Sequence, residues 1–147
     1  MTEKQEFWDI YNEKKERTGR TMKRNDWCLK DGEYHLTVLG VIKRTDGRFL
    51  ITKRVMTKAW APGCWEVSGG AAMAGEDSKT AVLREIREET GLDVAAWDGG
   101  YLFTYRRDNP GGKGITILWM CIVFLLILTS QISSSRRRNR WISVCFR

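Results

Sequence analysis

The sequence predicts a single α+β domain: one mixed β-sheet with a helix packed against it. Three stretches predict this. Residues 34–43 (YHLTVLGVIK) are β-branched and apolar, as a buried strand requires, and Asp46-Gly47 just beyond them is a hairpin turn. Residues 77–90 (DSKTAVLREIREET) can be capped by Asp77 or Ser78, stop before Gly91, and carry Ala81, Val82 and Ile86 as an apolar face. Residues 115–128 (ITILWMCIVFLLIL) are apolar without interruption.

The remaining elements follow in chain order. Residues 7–24 alternate loosely and carry a turn signal at Thr18-Gly19, which predicts an N-terminal hairpin. Residues 48–54 form the strand returning from Asp46-Gly47. Residues 55–69 are a loop holding Pro62, with a short strand at 65–67 leading into Gly69-Gly70. Residues 100–106 form a further strand, followed by the turn Asn109-Pro110-Gly111-Gly112. A membrane span needs roughly 20 apolar residues. The run at 115–128 has 14, so a buried strand is preferred to a membrane-anchored tail. A length of 147 residues suits one domain, 1–147, with an N-terminal extension (1–33), a core (34–128) and a basic tail (129–147).

Charge and cysteine usage exclude several functions. The net charge of +7 arises in the tail: residues 109–147 hold Lys113, Arg136, Arg137, Arg138, Arg140 and Arg147 and no acid. Residues 1–108 keep 19 basic and 18 acidic residues, a net of +1, so a nucleic-acid-binding surface is not supported. Cys28, Cys64, Cys121 and Cys145 are scattered without a CxxC pair, and His35 is the one histidine, which argues against a zinc ribbon or a His-rich site. His35 itself reads as a satisfied strand histidine. Residues 1–11 are polar, with no signal-peptide pattern. Free thiols in the cytoplasm are the expectation.

The chemistry concentrates in Gly70 to Leu92 (GAAMAGEDSKTAVLREIREETGL). Glu85, Glu88 and Glu89 fall at i, i+3 and i+4, which places three carboxylates on one helix face. Like charges so close repel, and a bound cation relieves them. Hard oxygen donors select Mg²⁺ or Mn²⁺ over zinc. Arg84 can orient or neutralise one carboxylate, and the carbonyl of the Gly69-Gly70 turn can join the metal shell. Such a site suits water attack on a diphosphate, with one glutamate taking the proton. The competing reading is a solvated acidic helix face.

The whole pattern resembles the Nudix family. Gly70, five residues, Glu76, seven residues, then Arg84-Glu85-Ile86-x-Glu88-Glu89-x-Gly91-Leu92 meets all nine defined positions of the Nudix box in 23 residues. Lys53-Arg54 and Pro62-Gly63-x-Trp65-Glu66 resemble the usual approach to the box. The resemblance implies an α/β/α sandwich around a mixed sheet and Mg²⁺- or Mn²⁺-dependent cleavage of a small-molecule substrate carrying a diphosphate linkage. It implies Glu88 and Glu89 as principal metal ligands, Glu85 as ligand or general base, and the Gly69 carbonyl as a further ligand. It further implies Arg84 as the arginine holding a box glutamate, and Glu76, Gly70 and Gly91 as supporting residues. Many relatives dimerise, so a homodimer is an open expectation.

Outside the box, Arg54 and Lys58 are candidates to meet phosphates and Trp60 to stack on a nucleobase. Exposed loop cations and core packing stay open beside them. The segments FWDIYNEKKERTGRT and EYHLTVLGVI resemble the branch near isopentenyl-diphosphate isomerase. With one histidine in the chain, and Cys64 read as a buried thiol, hydrolysis is favoured over isomerisation.

The second half departs from the family pattern. No acid follows Asp108, and Ser135-Arg136-Arg137-Arg138-Asn139-Arg140-Trp141 stands where relatives carry an acidic run before a last helix. That helix is therefore expected to be missing or altered. Glutamate codons GAG read one base later give AGG, arginine. A local frame shift across roughly 117–139 accounts for both the lost acids and the apolar run; the competing reading is a native basic tail, and the gene sequence decides between them.

Overall fold

The computed structural model describes residues 5–26, 28–57, 61–96, 98–107, 119–128 and 145–146. Among them nine strands join one mixed sheet: β1 (Phe7–Tyr11), β2 (Arg17–Lys23), β3 (Tyr34–Arg44), β4 (Phe49–Lys53), β5 (Trp65–Glu66), β6 (Ser68–Ala71), β7 (Asp98–Arg107), β8 (Trp119–Leu128) and β9 (Cys145–Phe146). One helix, α1 (Ser78–Thr90), follows β6.

β3 is the centre of the sheet. Along one edge it pairs in parallel with β8, from His35 opposite Trp119 to Arg44 opposite Leu128. Its other edge is shared in turn by β1 at Tyr34 and His35, β6 at Thr37–Gly40, and β4 at Ile42 and Lys43, all antiparallel. β7 closes the far edge of β8. Of the apolar run at 115–128, the described part, 119–128, is thus an interior strand, hydrogen-bonded on both sides, and 115–118 lie outside the described residues. Such strands lose the polar alternation of half-exposed ones. Among the described residues no helix is long and apolar enough to cross a membrane.

Alternation along β3 divides the core between two faces. Tyr34, Leu36, Val38 and Ile42 pack with Tyr11, Leu50 and Ala72 against Ala81, Val82 and Ile86 of α1. Trp8, Ile10 and Met22 pack with Leu29 and Ala71 in a second, smaller cluster. His35 joins that side, its ring stacked on Trp8 at 4.7 Å. Each such buried aliphatic side chain contributes roughly 1.5–3 kcal/mol.

The helix forms where the sequence places it. Asp77 caps it, its Oδ1 accepting the Thr80 N–H at 2.7 Å, and Gly91 ends it in the left-handed conformation at φ 76°. Gly40 lets α1 approach β3. A Cβ there would lie 2.6 Å from Ile86 Cδ1 and 3.0 Å from Val82 Cγ2.

Two expectations need correction. The N-terminal hairpin exists, but it turns at residues 12–16 rather than at Thr18-Gly19. Asn12 Oδ1 accepts the N–H groups of Lys14 and Glu16 at 2.9 and 3.0 Å and so builds the turn itself. Gly19, at φ 80°, lies inside β2, where the register shifts between Asp9 and Tyr11. It serves a bulge, which is the other use of a left-handed glycine in a strand. Cys64, read as buried, is an exposed free thiol, as is Cys28; Cys64 is held by its backbone, its carbonyl accepting the Arg54 N–H at 2.9 Å, which leaves the side chain uncovered.

The turn at 109–112 and most of the basic tail lie outside the described residues. So does the question of the last helix; of that region only β9 is described, paired with Leu50 and Ile51.

Candidate functional site

The site is assembled from β6, the loop 72–77 and α1. β6 pairs with β3 so that Gly70 faces Val38 on the helix side of the sheet. α1 then lays Glu85 directly over Gly70: a Cβ on Gly70 would fall 2.5 Å from the Glu85 carboxyl carbon. Glycine is required here because carboxylate and strand backbone share the space a side chain would fill.

Arg84 is the hub. Its Nε and Nη2 donate to the two oxygens of Glu76 at 2.8 and 2.9 Å, a bidentate pair. Nη1 donates to Glu85 Oε1 at 2.7 Å and reaches Glu88 Oε2 at 3.4 Å. Nη2 also donates to the Ala71 carbonyl at 3.1 Å, which ties helix to strand. Glu89, one turn from Glu85, accepts the Gly69 N–H on Oε2 at 3.1 Å. The structure therefore brings together Gly69, Gly70, Glu76, Arg84, Glu85, Glu88 and Glu89.

Their electrostatics differ by surroundings. The Arg84 hydrogen bonds hold the Glu76 carboxyl below the usual carboxylate range against the opposing effect of burial. Burial pushes Glu85 upward; Arg84 opposes this and the charge of Glu88 adds to it. Arg84, bonded first to Glu76 and then to Glu85, is held more firmly protonated than a free guanidinium.

Three carboxylates share this one guanidinium, so the cluster carries two negative charges in excess. Among the described residues no three His, Cys, Asp or Glu side chains converge into a ready metal cage; Arg84 and the Gly69 N–H take the oxygens instead. The donor chemistry nonetheless fits Mg²⁺ or Mn²⁺. The groups are hard carboxylate oxygens, the local charge is negative, and the glycine strand beside them admits close approach.

Arg54 pairs with Glu66 across β4 and β5, Nη1 to Oε2 at 2.7 Å. Lys58 and Trp60 lie outside the described residues. His35 is buried within β3 and far down its usual range, pushed to about 4 by burial.

Sequence reasoning missed the contribution of the N-terminal hairpin. Arg17 Nη2 donates to the Glu76 carbonyl at 2.7 Å, and Asp9 Oδ2 accepts the Gly75 N–H at 2.8 Å. No local pattern marks contacts 59 and 66 residues apart in the chain. Gly40 does carry a signal in the sequence, since a lone glycine inside an apolar strand marks a close approach.

Known proteins resemble this arrangement. An uncharacterised Nudix hydrolase of Listeria monocytogenes is 41% identical over 90 residues, covering 60% of this chain and 53% of the relative. The isopentenyl-diphosphate Delta-isomerase of Shigella flexneri is 33% identical over 100 residues, covering 67% and 54%. The chain thus spans about half the length of these curated relatives. The crystal structure of a MutT NUDIX hydrolase from Burkholderia pseudomallei superposes with a TM-score of 0.60 at 26% identity, covering 76% of this chain and 81% of that one. The family model for the NUDIX domain matches residues 33–146, from the start of the central strand through the box helix to β9, and the chain belongs to the NUDIX domain family.

Proposed function

We propose that the protein is a Mg²⁺- or Mn²⁺-dependent hydrolase that cleaves a diphosphate linkage in a nucleoside diphosphate derivative or related small metabolite by water attack at phosphorus. The observation that carries this reading is the Arg84 hub, which holds Glu76, Glu85 and Glu88 beside the Gly69-Gly70 strand. Glu88, Glu89 and the Gly69 carbonyl would hold the cation. When bound, it neutralises diphosphate charge and orients the substrate. Glu85 takes the proton of the attacking water. Its burial raises its proton affinity toward the working pH, which is what a general base needs. Arg84 keeps Glu85 in place and is itself fixed by its bidentate grip on Glu76. Arg54, Lys58 and Trp60 remain candidates for the substrate's distal groups.

The relatives named as isomerases supply the second reading. In this chain the one histidine is buried and stacked on Trp8, which leaves no exposed imidazole for acid–base chemistry. Hydrolysis is favoured for that reason.

The test is hydrolysis with Mg²⁺ or Mn²⁺, both product halves being separated and identified by chromatography, across nucleoside triphosphates, ADP-ribose, NADH, dinucleoside polyphosphates and isopentenyl diphosphate. Metal-dependent cleavage is expected from the wild type. Glu85→Gln should lower turnover by about 10²–10⁴-fold, with Glu89→Gln as the blank. Unchanged turnover in both variants overturns the residue roles. An allylic product without phosphate release establishes the isomerase instead.

A further inference from the structure

We infer that the N-terminal hairpin, which lies outside the matched family region of 33–146, is a positioning clamp for the catalytic loop, with Asp9 and Arg17 as its positioning residues. The inference rests on the reading of the box as a diphosphate-hydrolysing site.

The loop 72–77 connects β6 to α1 and carries Glu76, the anchor of Arg84. The hairpin holds it at three consecutive positions. Ala74 N–H donates to the Phe7 carbonyl at 2.7 Å, Gly75 N–H to Asp9 Oδ2 at 2.8 Å, and Arg17 Nη2 to the Glu76 carbonyl at 2.7 Å. Arg17 and Asp9 are themselves paired, Nε to Oδ2 at 3.1 Å, and Arg17 Nε also lies 3.4 Å from the Tyr11 hydroxyl. The clamp is thus a closed circuit: Asp9 takes one loop amide, Arg17 gives to the next carbonyl, and the two side chains lock each other. Asp9 is the more sheltered, with 15% of its side chain exposed against 46% for Arg17.

The circuit continues into the site. Glu76 also accepts the Met73 N–H at 2.9 Å, which folds the loop back on itself, and presents both oxygens to Arg84. Arg84 in turn sets Glu85. Moving the backbone at Glu76 therefore displaces the guanidinium that orients the proposed base. Gly75, at φ 85°, gives the loop the left-handed step that aims its N–H at Asp9. Asp9 and Arg17 touch no reacting atom in this scheme. They act through Glu76 and Arg84, and small misplacements of that kind can cost a hundredfold in rate.

The experiment compares wild type, Asp9→Asn, Arg17→Ala and Arg17→Lys as full-length chains. Amide hydrogen exchange reads the clamp itself. Manganese titration followed by electron paramagnetic resonance, with Mn²⁺ alone as the probe, reads the site. Turnover on the best substrate of the panel separates kcat from KM. Arg17→Ala should speed exchange at Gly75 and Glu76 by about tenfold or more while Val38 and Ile42 in β3 keep their protection. It should weaken Mn²⁺ binding several-fold and lower kcat at little changed KM. Arg17→Lys keeps the charge and one donor and should restore part of both. Uniformly faster exchange across the chain, or local loosening with Mn²⁺ affinity and kcat intact, overturns the positioning role. A wild type that neither binds Mn²⁺ nor cleaves any substrate of the panel overturns the functional reading, and the positioning role falls with it; the exchange arm still reports separately whether the clamp exists.

Discussion

Replacing Arg84 by Ala strands two sheltered carboxylates, and the structure sets the size of the effect. The substitution removes the bidentate pair to Glu76 at 2.8 and 2.9 Å, the bond to Glu85 at 2.7 Å and the tie to the Ala71 carbonyl at 3.1 Å. The contact to Glu88 counts for little, because that side chain is 55% exposed and 3.4 Å away. Removing one partner of a fully buried pair costs about 3–5 kcal/mol. Here Arg84, Glu76 and Glu85 keep 19, 17 and 14% of their side chains exposed, so water recovers part of the loss. The expected destabilisation is about 2–3 kcal/mol after that discount. For a chain of this length that lowers the melting temperature by roughly 4–12 °C. Urea unfolding at pH 7 with EDTA present, so that no cation replaces the guanidinium, measures it. Glu76→Gln needs no counter-charge. The double variant should therefore lose less than the two single losses together, with a coupling of about 1–2 kcal/mol. A loss under about 0.5 kcal/mol, or additive single effects, would mean that Arg84 lies on a solvated charged face and organises nothing.

Two further outcomes follow from the packing. Gly40→Ala places a methyl 2.6 Å from Ile86 Cδ1 and 3.0 Å from Val82 Cγ2, and both side chains are buried, so they must shift within the core; the loss should be about 1–3 kcal/mol. Ile86→Val removes the clashing carbon and should recover part of it in the same unfolding assay, whereas equal stability of wild type and Gly40→Ala refutes the close approach. His35 is neutral in the fold until about pH 4, while the unfolded chain binds its proton near pH 6.5. Its contribution is therefore intact above 6.5 and is lost as pH falls from there toward 4, by about 3 kcal/mol in all. As the one histidine in the chain, its imidazole signal in an NMR titration is unambiguous; a midpoint near 6.5 contradicts the burial argument.

The sequence by itself determined the local elements and the identity of the box. Asp77 and Gly91 delimit α1 because capping is a matter of a few consecutive residues. The spacing of Glu85, Glu88 and Glu89 puts them on one face because a helix has a fixed period. The described part of the apolar run, too short for a membrane, is the interior strand β8, paired along both edges, the position in which such a composition is usual. The tertiary structure alone decided which groups oppose these. Asn12 outcompeted Thr18-Gly19 for the hairpin turn by supplying its own acceptor to two amides. Arg54, a phosphate candidate by residue type, is paired with Glu66 because β5 lies beside β4. Asp9 and Arg17 reach the loop before α1 because β1 pairs with the start of β3. Local hydrogen bonding and periodicity are written in neighbouring residues. Which distant charges meet is set by how the strands order themselves in the sheet, and that order emerges only when the chain buries both faces at once.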